Sequence, residues 1–148
     1  MLRYHGGGSP GGVAHAFKVL ERALPLLEPG GAPERREIAI RTAFGGPGAR
    51  DALELVTRAV TDDRYSMEPG LANPELGRAR ERFVFRLAYR DRAVTLAVRE
   101  GFVTEEFIDL ARKASRSAGE ENHLDALKLE MADLVMSSAA ADVYEPAQ

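Results

Sequence analysis

The chain has 148 residues, which suits one domain, and its 45% hydrophobic and 29% charged residues are typical of a globular protein. A formal net charge of −3 gives no electrostatic reason to expect a nucleic-acid partner. The absence of cysteine excludes disulfides, thiolate nucleophiles and cysteine-ligated zinc, and it is compatible with a cytoplasmic location. The longest apolar runs are too short for a membrane span or a signal peptide, so we expect no membrane partner.

The first predicted helix follows a glycine-rich stretch, YHGGGSPGG, at residues 4–12. Ser9 is a residue type that caps helix N-termini, and Pro10 suits the first helical position. The apolar residues that then recur every three or four positions are Val13, Phe17, Leu20, Leu24 and Leu27. We expect Pro25 to kink or shorten this helix and the Pro-Gly-Gly that follows to end it.

A strand and a second helix come next. The segment REIAIRTAF alternates and places Ile38, Ile40, Thr42 and Phe44 on one face of a strand. Glycines and a proline at positions 45–48 then turn the chain into a helix, ARDALELVTRAV. We expect residues 61–73 to form a loop and Asn73-Pro74 to start a short helical piece.

Two β-rich runs, RFVFRLAY and AVTLAV, predict an antiparallel hairpin around residues 90–92. Thr104, followed by two glutamates, is typical of a helix start, and we expect Gly119 to end that helix. A further helix carries an apolar stripe formed by Leu124, Leu127, Met131 and Leu134. This stripe needs a partner, either the body of the domain or a second subunit, and we favour the subunit and hence a homodimer.

The order of elements predicts an α+β fold with one mixed, mostly antiparallel sheet packed by helices. Residues 1–100 form the expected core. We expect residues 101–148 to form a C-terminal helical hairpin within the same structural unit, which could serve as a dimer arm.

The glycine-rich stretch offers two interpretations. Glycines before a helix start can present backbone N–H groups to an anion, or they can form a flexible entry loop. The first interpretation makes Gly6, Gly7, Gly8 and Ser9 ligand-binding residues. His5 and His15 flank the stretch and could converge at the helix start as acid/base groups, whereas a purely structural His15 would be buried and hydrogen-bonded.

Asp51 and Arg50 follow the second glycine turn. On the first turn of its helix, Asp51 would either complement the helix dipole or act as a site carboxylate that faces the start of the first helix. Arg50 is a candidate donor to an anion. We interpret the cluster Arg78, Arg80 and Arg82 as a solvated loop face, with an anion contact as the alternative.

These motifs resemble the FmdE-like (FwdE-like) family of formylmethanofuran dehydrogenase components over close to the whole chain. The opening motif of that family, H-G-H-x-C-P-G, is similar to HGGGSPG at residues 5–11. Its second motif, C-x-x-D-A-[IL]-Q-x-[LV]-T-G-C-T, is similar to GARDALELVTRAV at residues 48–60. The resemblance implies an α+β fold of the FwdE and glyceraldehyde-dehydrogenase-domain (GAPDH-domain) type, often dimeric.

The chain departs from this family at the metal ligands. Gly7 replaces the second histidine, and Ser9, Gly48 and Ala59 replace cysteines. His5 and Asp51 remain, which is fewer than the three or four protein ligands of a typical zinc site. We therefore expect no metal site and no cofactor, with His15 as the one obvious substitute ligand.

Three functions follow from these residues. The first is a binding protein that holds a small anionic ligand between the starts of the first two helices. The second is a metal-independent lyase, isomerase or cyclase in which His5 or His15 acts with Asp51. The third is a non-catalytic scaffold that acts through its C-terminal helices.

Overall fold

The computed structural model describes Met1 and residues 7–147. The helices are α1 (Pro10–Leu27), α2 (Pro47–Thr57), α3 (Glu105–Ala111), α4 (Ala118–Met136) and α5 (Ala140–Val143). The strands are β1 (Ile38–Thr42), β2 (Tyr65–Met67), β3 (Val84–Tyr89), β4 (Arg92–Val98) and β5 (Tyr144–Pro146). Three short 3₁₀ helices cover Arg35–Glu37, Pro69–Leu71 and Pro74–Leu76, the last of which begins at the predicted Asn73-Pro74.

The strands form one five-stranded sheet in the order β2-β1-β3-β4-β5. β1 and β2 are parallel, and the other neighbouring strands are antiparallel. The predicted α+β class with a mixed, mostly antiparallel sheet is therefore confirmed. The alternation predicted for β1 is also present, because Ile38, Ile40 and Thr42 are buried while Arg41 is exposed.

The core lies between the sheet and α1, which contacts α2, α4 and α5 as well as three strands. Each of the three central strands contributes alternate residues to it: Ile38, Ile40, Phe85, Leu87, Leu96 and Val98. Val13, Leu20 and Leu27 of α1 pack into the same core as predicted, whereas Phe17 is 38% exposed.

The start of α1 confirms part of the prediction and corrects the rest. The helix begins at Pro10, as expected, and Pro25 lies inside its last turn, two residues before the helix ends. The expected capping role of Ser9 is wrong, because its side chain accepts no hydrogen bond from the helix. Its backbone carbonyl instead accepts from the N–H of Val13 at 3.1 Å.

The β3–β4 hairpin turns through two residues, Arg90 and Asp91, with Tyr89 paired to Arg92. Arg90 adopts a left-handed φ of +55°, which is unusual for a residue with a side chain. Its guanidinium pairs with Glu37 at 2.9 Å and lies 4.8 Å from the centroid of the Tyr89 ring. The sequence has no Asn-Gly pair at this turn, and these contacts of Arg90 stabilise it instead.

The boundary between α3 and α4 differs from the prediction. Thr104 caps α3 as expected, but the helix ends at Ala111 and Gly119 lies inside α4. The reason is a capping box in which Ser117 accepts from the N–H of Glu120 and the Glu120 carboxylate accepts from the N–H of Ser117. This pair starts a helix just before the glycine that was expected to stop one.

The apolar stripe of α4 is largely covered by the chain itself. Leu124 and Leu127 are buried in a cluster with Leu110, Met131 is buried in the main core, and Leu134 is 47% exposed. The segment 101–148 also returns to the sheet as β5, where Tyr144 is fully buried. No helix in the described part of the chain combines the length and apolar character that a membrane span requires.

Candidate functional site

The starts of α1 and α2 pack directly against each other through glycine. A Cβ atom on Gly48 would lie 2.6 Å from the Cβ and 2.7 Å from the carbonyl oxygen of Ser9. A Cβ on Gly12 would lie 3.1 Å from the backbone nitrogen of Ala49. Side chains at these positions would push the helices apart, so the glycines allow the two N-termini to meet.

A cavity of about 510 Å³ opens beside this contact, and we call it the helix-start cavity. Its backbone side consists of Ser9, Gly11 and Gly12 from α1 and the turn Gly45–Gly48 before and into α2. Neither helix has a side-chain cap, and each has a proline at its first position. The N–H groups of Gly11, Gly12 and Gly48, which belong to the lining, donate to no described residue.

The lining also has an apolar part, which we call the apolar wall and which consists of Phe44, Phe83, Phe107, Ile108 and Leu124. Phe83 is 2% exposed and packs against Phe44 with ring centroids 4.3 Å apart and an interplanar angle of 30°. The Phe44 ring lies against the backbone at Gly46, where a Cβ would approach ring atoms to 2.5 Å. The glycine turn thus serves the aromatic wall as well as the helix contact.

Four cations complete the lining and form what we call the cationic rim: Arg82, Arg112, Arg116 and Lys128. Arg116 pairs with Glu121 at 2.9 Å and donates to backbone carbonyls at the end of α3, while Lys128 lies 3.4 Å from the carbonyl oxygen of Gly8. The guanidinium groups of Arg82 and Arg112 pair with no described residue. None of the described residues that line the cavity is acidic.

The predicted ligand-binding residues fall in different places. Ser9 lines the helix-start cavity, whereas the exposed Gly7 and Gly8 lie outside its lining. His5 and Gly6 lie outside the described residues. Arg50 is 53% exposed and does not line the cavity either.

His15 lies in the core instead of at the surface of the site. It is fully buried, its Nδ1 atom is 2.9 Å from the hydroxyl of Tyr144, and its ring centroid lies 5.0 Å from that of Phe83. Burial lowers the pKa of His15 to about 4, although a backbone group of Phe102 opposes this shift. Its Nε2 atom makes no hydrogen bond of good geometry with a described residue, so His15 is a neutral structural imidazole at pH 7.

Asp51 occupies the fifth position of α2, so the expectation that it lies in the first turn is wrong. One of its carboxylate oxygens lies 3.8 Å from the guanidinium of Arg50. Asp51 does not line the helix-start cavity, and the hydrogen bond of His15 goes to Tyr144 and not to Asp51. His123, the remaining histidine, is a surface residue that pairs with Glu106 at 2.6 Å.

Among the described residues, no three His, Cys, Asp or Glu side chains come together as a group able to hold a metal ion. No protein-family model matches the chain, and no curated protein matches it in sequence. The resemblance to the FmdE-like family therefore stays a prediction that rests on its two motifs.

A second cavity of similar volume, about 510 Å³, lies between α1 and α4. Its lining residues are Met1, Pro10, Val13, Ala14, Phe17, Ala132 and Met136. None of these described side chains carries a charge or a hydrogen-bonding group. The lining of the helix-start cavity combines apolar side chains with cationic ones, which is the better basis for specific binding of a polar ligand.

Sequence reasoning points to the correct helix starts but misses most of the side chains around them. The spacing of Arg78, Arg80 and Arg82 indicates a solvated loop, yet Arg82 lines the cavity. Nothing in the local sequence singles out Arg112, Arg116 or Lys128. Their signal in sequence is weak, because the four cations of the rim lie in loops and in α4, far apart along the chain.

Proposed function

We propose that the protein binds a small anion in the helix-start cavity. The observation that carries this proposal is the lining itself, whose described residues include four cations, no carboxylate and the starts of two helices that lack side-chain caps. Because the chain has a net charge of −3, such a concentration of positive charge is local and does not follow from the overall composition.

The two kinds of donor act together. Uncapped N–H groups at a helix start carry partial positive charge, and guanidinium groups add charge-assisted hydrogen bonds. Arg82 and Arg112 have no competing carboxylate among the described residues, so an anion would gain their full attraction. Arg116 and Lys128 add positive charge to the cavity. Arg116 is already paired with the Glu121 carboxylate, and Lys128 already donates to the carbonyl oxygen of Gly8.

We also propose that the chain is a divergent member of the FmdE-like family. In that resemblance, Ser9 and Gly48 stand where the family has cysteines. The close approach of these two positions supports the proposal, since residues that once shared a ligand should be neighbours. The metal ligands would then have been replaced by small residues around an anion pocket.

The enzymatic alternative depends on His5, which lies outside the described residues, because His15 is buried and has a lowered pKa.

A cytoplasmic location is proposed from the cysteine-free composition. The proposed homodimer rests on exposed apolar side chains of α1 and α4, namely Phe17, Leu129, Leu134 and Met136. Sedimentation of the purified chain would test the dimer directly.

The binding proposal is tested by titrating the protein with a panel of small carboxylates and phosphate monoesters in a calorimeter. We expect at least one anion to bind to the wild-type chain and to lose at least about tenfold in affinity in the double variant Arg82→Gln/Arg112→Gln. Arg92→Gln is the matched control, since Arg92 is exposed and lies outside the cavity lining. Binding that is equal in all three proteins would overturn the proposal.

A further inference from the structure

The helix-start cavity is much larger than its charged part requires. Its volume of about 510 Å³ falls within the range of sites that hold drug-sized organic molecules, about 300–1,000 Å³. An inorganic ion held by the cationic rim would leave the apolar wall in contact with water. The excess volume therefore indicates a ligand that has an apolar part in addition to its anionic group.

The apolar wall is preorganised for a flat apolar body. Phe83 is almost fully buried, and the half-buried Phe44 is held between Phe83 and the backbone at Gly46. Since these rings are already packed, little side-chain entropy is lost when a ligand contacts them. Phe107, from α3, adds a third aromatic side chain to the same wall.

The charged and apolar parts of the lining come partly from the same segment. Arg112 follows the last residue of α3 directly, and Ala111 and Ile108 of α3 line the cavity beside it. A ligand that contacts both parts must therefore join an anionic group closely to an apolar body.

We infer that the ligand is an aromatic organic anion, with its anionic group at the cationic rim and its ring against the apolar wall. This inference rests on the proposed function, because it assigns the chemistry of the ligand in the same cavity. An aryl phosphate and an aryl carboxylate share this chemistry, and the experiment distinguishes them.

The experiment compares phenyl phosphate, benzoate, inorganic phosphate and phenol by calorimetric titration of the wild-type protein. We expect phenyl phosphate or benzoate to bind about 10- to 100-fold more tightly than inorganic phosphate, because the ring buries apolar surface. We also expect phenol to bind at least about tenfold more weakly than the tighter aryl anion, because it is neutral at pH 7.

A variant that places a bulky side chain in the helix-start cavity, beside its apolar wall, supplies a second test. Ala111→Phe places a ring at an exposed lining position, and Ala114→Phe makes the same change at an exposed position outside the lining. We expect Ala111→Phe to reduce the affinity for the aryl anion at least about tenfold and Ala114→Phe to leave it within about twofold. Circular dichroism of both variants checks that they are folded.

The outcomes separate the two proposals. If inorganic phosphate binds as tightly as phenyl phosphate and both are lost in Arg82→Gln/Arg112→Gln, the anion site stands and the aromatic inference fails. If phenol binds as tightly as the aryl anions, the proposed function fails and this inference fails with it. If none of the four probes binds while another anion of the panel does, only the aromatic inference fails. If no anion of the panel binds, both fail.

Discussion

The hydroxyl of Tyr144 lies 2.9 Å from Nδ1 of His15, and both side chains are fully buried. This contact joins the first helix to the last strand across 129 positions of sequence. Burial also raises the pKa of Tyr144 well above its ordinary value, so the hydroxyl stays protonated. The pair lies behind the helix-start cavity, because His15 packs against the cavity residue Phe83.

Tyr144→Phe should therefore destabilise the protein without creating a cavity. It removes the hydroxyl and leaves Nδ1 of the buried His15 without its partner, which costs about 1–3 kcal/mol in the free energy of unfolding. Urea denaturation of the variant and the wild type measures the loss.

The double variant His15→Leu/Tyr144→Phe is the control for this pair. Replacing both polar partners by apolar groups leaves no unsatisfied atom, so the double variant should lose less stability than the sum of the single variants His15→Leu and Tyr144→Phe. Strict additivity would show that the hydrogen bond contributes nothing.

The stability of the protein should fall in mildly acidic solution because of His15. Burial lowers the pKa of His15 from its ordinary 6.5 to about 4, so between these values the unfolded chain binds the proton that the folded chain excludes. The free energy of unfolding attributable to this group is unaffected above pH 6.5 and should have decreased by about 3 kcal/mol at pH 4.

His15→Gln isolates this effect, because glutamine can still bond to Tyr144 but does not titrate. The difference in unfolding free energy between wild type and variant should shift in favour of the variant as pH falls from 6.5 to 4. The carboxylates with a lowered pKa, Glu54, Asp62 and Glu120, affect both proteins alike. A difference that stays constant with pH would contradict the assignment of the slope to His15.

The α+β class and the main helices and strands were predictable because their apolar periods are long and regular. α1 repeats over 18 residues, and the β3–β4 hairpin alternates on both sides of its turn. β2 and β5 were missed because each has only three residues, too few for a pattern to be distinguished from a loop. Tyr144 is buried through its pairing with Val98 on β4, which no local signal reveals.

The surroundings of the helix-start cavity were predictable only where they depend on the backbone. The glycines and prolines around residues 6–12 and 45–48 predicted two helix starts, and the structure brings these together at Gly12 and Gly48. The positions of the side chains were harder to predict. The sequence around His15, for example, does not distinguish a buried structural imidazole from a catalytic one. Arg82 and Arg112 lie 30 positions apart and line the same cavity only in the folded chain.

Glu54 holds the loop after α2, and Glu54→Gln should destabilise it. Its carboxylate accepts from the N–H of Val60 at 2.7 Å, from the N–H of Thr61 at 3.1 Å and from the Thr61 hydroxyl. Burial raises the pKa of Glu54, but these hydrogen bonds and the charge of Arg58 outweigh it and lower the pKa overall.

An amide at position 54 has one acceptor oxygen instead of two, so we expect a loss of about 1–3 kcal/mol in the free energy of unfolding. Glu100→Gln is the matched control because Glu100 is exposed and makes no contact of this kind with a described residue. Thermal unfolding followed by circular dichroism measures both variants. Equal effects of the two substitutions would contradict the role of Glu54.

Gly48→Ala should disturb the helix-start cavity and the stability of the protein together. The new Cβ would lie 2.6 Å from Cβ and 2.7 Å from the carbonyl oxygen of Ser9, and backbone at that distance can be relieved only by moving the helices apart. We expect a loss of about 1–3 kcal/mol in unfolding free energy and weaker binding of the tightest aryl anion. Gly119→Ala is the control, because its Cβ would have no neighbour closer than 3.9 Å and alanine favours the helix. Urea denaturation and calorimetric titration of both variants test this, and a Gly48→Ala protein as stable as wild type would show that the close contact does not constrain the two helix starts.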